Sequence, residues 1–89
     1  MYRSVSDASR LAEYAAIAGP AIERGGGRFI ARGVPARTFE GTDGQRTVVI
    51  EFESVANAIH TYESAEYQVA LARLTGAVER DVRIVEGVA

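Results

Sequence analysis

The chain has 89 residues, no cysteine, 12 acidic residues and 10 basic residues, all of them arginine, for a net charge of −2. These numbers describe one small domain over residues 1–89 and exclude disulfides, thiolate chemistry and cysteine-bound metals. Arginines dispersed on a mildly acidic chain make a poor nucleic-acid surface, and no apolar run reaches the roughly 18 residues of a membrane span.

A domain of this size buries only about two-thirds of the surface that its unfolded chain exposes. Association with a second copy is the expected way to bury more. The N-terminal residues lack the apolar core of a signal peptide, so the expectation is a soluble cytoplasmic protein, bacterial in style.

Tyr2 to Val5 reads as a first strand, followed by Asp7 as the N-cap of a helix. Leu11, Ala15, Ala18 and Ile22 recur at helical spacing. Gly19-Pro20 interrupts that pattern. Proline lacks an N–H and crowds the preceding turn, which predicts a stop near residue 18 and a short second piece from Pro20 to Arg24. Gly25-Gly26-Gly27 then ends the helix, with one of the glycines at positive φ. A phosphate loop needs a strand before the glycines and a helix after them, and here that order is reversed.

Arg28 to Arg32 predicts a second strand, extending past Gly33-Val34-Pro35 toward Phe39. Glu40 to Gly44 is a turn, and Val48 to Phe52 a third strand. Both strands carry apolar residues on both faces, which calls for a cover on each side. Helices supply one cover. A second subunit is the natural candidate for the other. Ser54 is placed to cap a helix with Val55, Ala58, Ile59 and Tyr62 on its apolar face, and Ser64 to cap another carrying Tyr67, Leu71 and Leu74. Gly76 ends that helix, and Val82 to Glu86 predicts the last strand. The resulting order, βαββαβ, is a ferredoxin-like α+β fold with a four-stranded antiparallel sheet. Val48, Ile50 and Phe52 are expected to face Leu11, Ala15, Ile59 and Tyr62.

No catalytic motif stands out. His60 is the single histidine. It reads either as a surface residue beside the apolar face or as a pocket acid–base group. One histidine and no cysteine leave too few ligands for a transition metal or haem, so no cofactor is expected. By strand parity Arg32 and Glu51 fall on the face away from the helices, as an interface ion pair or as polar anchors for a ligand. Tyr14, Tyr62 and Tyr67 read as core residues with polar tips, any of which could line a pocket.

The segments Ala18 to Ile22, Gly26 to Gly33, Phe39-Glu40-Gly41, Val48 to Phe52, Tyr62 to Gln68 and Glu79 to Gly87 together resemble the family called domain of unknown function 1330. That resemblance implies the dimeric α+β barrel superfamily, in which two ferredoxin-like subunits pack sheet against sheet with a cavity between sheet and helices. Superfamily relatives include cofactor-independent monooxygenases, haem-degrading enzymes, lactone isomerases and stress-response proteins. The family has no established activity, so it lends no catalytic residues. Family members often carry histidine in place of Gly25, an aromatic residue in place of Thr61 and proline in place of Ala65.

Two functions follow as expectations. One is a small-molecule binding protein or cofactor-free enzyme with a hydrophobic ligand in the helix–sheet cavity, using Arg32, Glu51, His60, Tyr62 and Tyr67. The other is a non-catalytic structural or stress-related homodimer. Neither involves nucleic acid or membrane.

Overall fold

The computed structural model describes residues 2–5, 8–41, 44–76 and 78–88; for Tyr2–Val5 and Ala8 it describes the backbone. The order is β1 (Tyr2–Val5), α1 (Ala8–Arg24), β2 (Arg28–Gly33), β3 (Thr47–Glu51), α2 (Val55–Glu63), α3 (Ala65–Ala72) and β4 (Val78–Arg80). Asp7, expected as a cap, lies outside the described residues.

Helix α1 runs unbroken through Pro20, not in two pieces. The residue before a proline normally resists helical geometry because its Cβ meets the ring. Here that residue is Gly19, which has no Cβ. The carbonyl that loses its hydrogen bond belongs to Ala16, an exposed residue whose position leaves it open to water. The glycine run then closes the helix as expected. The Gly27 N–H donates to the Ile22 carbonyl (2.8 Å) and the Gly26 N–H to that of Glu23 (3.0 Å). This is a Schellman turn, with Gly26 at the left-handed position (φ +89°).

Both predicted serine caps form. Ser54 Oγ accepts from the Asn57 N–H (3.0 Å), and Ser64 Oγ accepts from that of Tyr67 (3.2 Å). Ser64 therefore ends α2 and begins α3.

The strands form two antiparallel ladders, β1 with β4 and β2 with β3. Strand β4 is Val78–Arg80. Residues 81–88, where the last strand was expected, have no regular structure; the strand instead pairs with β1 from Val78 opposite Val5 to Arg80 opposite Tyr2. The expected extension from Val34 to Phe39 is also irregular, and Phe39 is 87% exposed.

The fully packed core is a helix–helix seam. Tyr14, Ala18, Ala21 and Ile22 of α1 bury against Tyr67 and Ala70 of α3 and the following Leu74. Small side chains let the helices approach closely, and Ala70 is 0% exposed. The buried stripe of α1 is thus rotated toward Tyr14 and Ala21, leaving Ala15 exposed. Strand β3 supplies half-buried Ile50, with Phe52 just beyond it, at the edge of this core. Leu11 and Tyr62 also pack there, as expected, whereas Ile59 is exposed.

Where the hairpin meets the end of α1, space is short. A Cβ on Gly27 would lie 2.8 Å from Phe52 Cζ and 3.0 Å from the Ile22 carbonyl oxygen. Gly27→Ala is expected to cost about 1–3 kcal/mol from overpacking, and Gly26→Ala about 1–2 kcal/mol from left-handed geometry alone. Urea denaturation measures both. Wild-type stability in Gly27→Ala would show that Phe52 does not press on this turn.

Candidate functional site

Two hollows meet around β4. The larger, about 1010 Å³ and partly open to solvent, lies between α1, the β2–β3 hairpin, α2 and residues 80–88. Its walls include Leu11, Ala18, Ile22, Phe29, Val48 and Phe52. The smaller, about 590 Å³, is lined by Tyr62, Leu71, Leu74 and Val78 among others. Arg80, Tyr62 and Val82 border both.

The polar centre of the larger cavity is a cluster of Tyr14, Tyr67 and Arg80. Tyr14 comes from α1, Tyr67 from the first turns of α3 and Arg80 from the end of β4. The two hydroxyl oxygens are 2.5 Å apart and share a hydrogen bond. Arg80 Nη1 donates to the Tyr14 hydroxyl (3.1 Å) and Nη2 to that of Tyr67 (3.3 Å). The rings meet edge to face with centroids 5.9 Å apart, and Arg80 Cζ sits 5.0 Å from the Tyr14 centroid, a cation–π distance. Tyr62 leans on Tyr67 at 5.1 Å.

Burial pushes the Tyr14 phenol above its ordinary pKa, reinforced by the neighbouring Tyr67 and opposed by Arg80. Burial alone would lower the pKa of Arg80. Its contacts with the two phenols outweigh that, and its net direction is up. The cluster thus holds a guanidinium cation beside a neutral Tyr14 phenol.

Of the residues singled out from sequence, Tyr62 and Tyr67 belong to this centre, and Arg32 and Glu51 border the cavity. Arg32 and Glu51 do not pair. Glu51 is opposite Arg28 and bonds it, with Arg28 Nη2 2.6 Å from Oε1, both side chains exposed. Arg32 stands opposite Val48, and its guanidinium lies 4.7 Å from the centre of the Phe29 ring. The cause is a bulge. Between Phe29 and Ala31 strand β2 advances by two residues while β3 advances by one, from Ile50 to Val49. Ile30 is the extra residue, and it inverts the parity of everything after it. Arg32 therefore joins Phe29, Val48 and Ile50 on the cavity side. His60 is exposed on α2 and does not border either cavity. Among the described residues no group of three His, Cys, Asp or Glu could hold a metal, and no described helix is long and apolar enough to cross a membrane.

Arg80 was missed in the sequence. Its one signal is parity: it falls between Val78 and Val82 at the same alternation, a charge at an inward position. Gly25 and Thr61 are neighbours. A Cβ on Gly25 would overlap the Thr61 side chain, whose hydroxyl donates to the Asn57 carbonyl (2.9 Å).

The sequence signature of the family described as Domain of unknown function (DUF1330) matches residues 1–88. No curated protein matches at a significant level. Among solved structures, the RPA0582 protein of unknown function from Rhodopseudomonas palustris is similar with a TM-score of 0.68 at 24% identity, covering 89% of this chain and 68% of that one. The methylated RPA0582 protein gives 0.69 at 22% identity, over 88% and 67%. At these identities the likeness is one of fold.

The Tyr14 environment has a pH consequence. A folded-state pKa above the ordinary 10.0 means that the fold favours the neutral phenol. That stability is complete below about pH 10 and is lost as pH rises beyond it. Denaturation midpoints should fall between about pH 9 and about pH 11, and fall less steeply in Tyr14→Phe. Equal slopes would place Tyr14 in water.

Proposed function

We infer that this chain, which belongs to the DUF1330 family, binds a small, mainly apolar molecule in the cavity between α1 and the β2–β3 hairpin. The observation that carries this reading is the pairing of apolar wall residues with the hydrogen-bonded cluster Tyr14–Tyr67–Arg80 at a cavity of about 1010 Å³, whose lining also includes Arg46, Glu51, Glu53 and Arg83. Ligand sites combine those features: apolar area for affinity and a few convergent polar groups for orientation. Arg32, brought to the wall by the bulge, is a second polar contact, and Tyr62 frames the cluster. Glu51 and His60 have weaker support, since Glu51 is tied to Arg28 and His60 faces solvent.

A non-catalytic homodimer has support of its own. Ile30 and Val49, on the outside of the hairpin, are 53% and 43% exposed. In this second reading the two ladders join into one four-stranded ferredoxin-like sheet and two copies pack sheet to sheet as a dimeric α+β barrel in the bacterial cytoplasm. The two readings are compatible, because a partner over the hairpin leaves the cavity side free.

Native mass spectrometry of protein purified from its own host tests the first reading: a bound small molecule is expected. Ligand-free protein that also ignores apolar probes would overturn it. Sedimentation tests the second, with a dimer expected at micromolar concentration. A monomer under those conditions removes it.

A further inference from the structure

The Tyr14–Tyr67–Arg80 cluster has a proton left over. Each phenol carries one proton and can accept, whereas a guanidinium only donates. One phenolic proton lies in the bond between the two hydroxyls. Arg80 already directs an N–H at each oxygen, so it offers nothing to receive the other. No described side chain or backbone oxygen accepts it either: the hydroxyl bonds of Tyr14 and Tyr67 are to each other and to Arg80. Both tyrosines border the large cavity. The second proton therefore has to find its acceptor there.

We propose that the cavity ligand is an apolar molecule ending in a carboxylate, held by the free phenolic proton of the Tyr14–Tyr67 pair beside the Arg80 guanidinium. This rests on the ligand-binding reading above and names its ligand class. An acceptor is required by the proton count. A negative acceptor is favoured because hydrogen bonds to an ionised acceptor are about twice as strong as neutral ones. The walls also carry Leu11, Ala18, Ile22, Phe29 and Phe52, which suit an apolar body. A cationic ammonium end group has no lone pair to offer the phenolic proton.

The proton count gives the two phenols a shared role. Replacing either one by Phe frees the proton of the other, so a donor remains. Replacing both removes it.

The test uses the full chain and three probes followed by ligand-observed NMR: decanoate, decylamine and naphthalene. Decanoate is expected to bind at least about tenfold more tightly than decylamine. Tyr14→Phe/Tyr67→Phe and Arg80→Met should each weaken decanoate by about tenfold or more, the size of a hydrogen bond to a charged group, while still binding naphthalene. The retained naphthalene signal shows that the variants are folded with the cavity present. The double Phe variant should lose more than the two single Phe variants combined. If naphthalene binds but decanoate and decylamine are equal, or the variants leave decanoate unchanged, the carboxylate inference is overturned and the cavity reading stands. If none of the three probes binds, the cavity reading falls and the inference falls with it.

Discussion

Two phenols and a guanidinium cannot be taken out of water unless their polar atoms find partners. Tyr14, Tyr67 and Arg80 solve this jointly, and the arrangement of the molecule depends on the solution. Each residue belongs to a different element, so the shared bonds tie α1, α3 and β4 together at one point. The α1–α3 seam brings the phenols into reach, and its small residues, Ala18, Ala21 and Ala70, set that spacing. The β1–β4 ladder brings Arg80 in from the other side. A polar cluster of this kind fixes geometry because misplacing any member leaves buried atoms unpaired.

The second constraint lies at the junction between α1 and the hairpin. The Schellman turn needs Gly26 in a left-handed conformation, and Gly27 needs an empty Cβ position because Phe52 and Ile22 already fill that space. The turn therefore sets how the hairpin leans on the helices. At this same end of α1, Arg24 bonds Glu66, joining the last turn of α1 to the first turn of α3, where each charge also suits the helix end it occupies. The cavity is what remains between a firmly packed helical pair and a hairpin held to it by Phe29, Ile50 and Phe52.

The bulge at Ile30 links this architecture to the site. Without it, Arg32 would share the outer face with Glu51. With it, the outer face keeps Ile30, Val49 and the Arg28–Glu51 pair, and the cavity side gains a cation stacked on Phe29. A single extra residue thus divides the hairpin into an apolar outer surface and a cavity wall with charge.

Much of this was legible in the residues themselves. The helices, their serine caps at Ser54 and Ser64, the glycine stop and the positions of β1, β2 and β3 follow from local rules, because caps, turns and periodicity are decided by neighbours a few residues away. The continuity of α1 through Pro20 was a near miss: Gly19 removes the clash that proline normally imposes. What the sequence could not decide was everything set by partners distant along the chain. The bulge depends on the register between β2 and β3, the place of β4 on its pairing with β1, and the rotation of α1 on its packing against α3. The Tyr14–Tyr67–Arg80 cluster depends on all three elements meeting. The first two of these residues stand 53 positions apart, and Tyr67 is 13 from Arg80. By itself, then, the sequence determined most of the elements and their order, though not the continuity of α1 or the place of β4. Tertiary packing alone decided which polar groups share a cavity, because hydrogen bonds across such separations exist only once the chain has closed on itself.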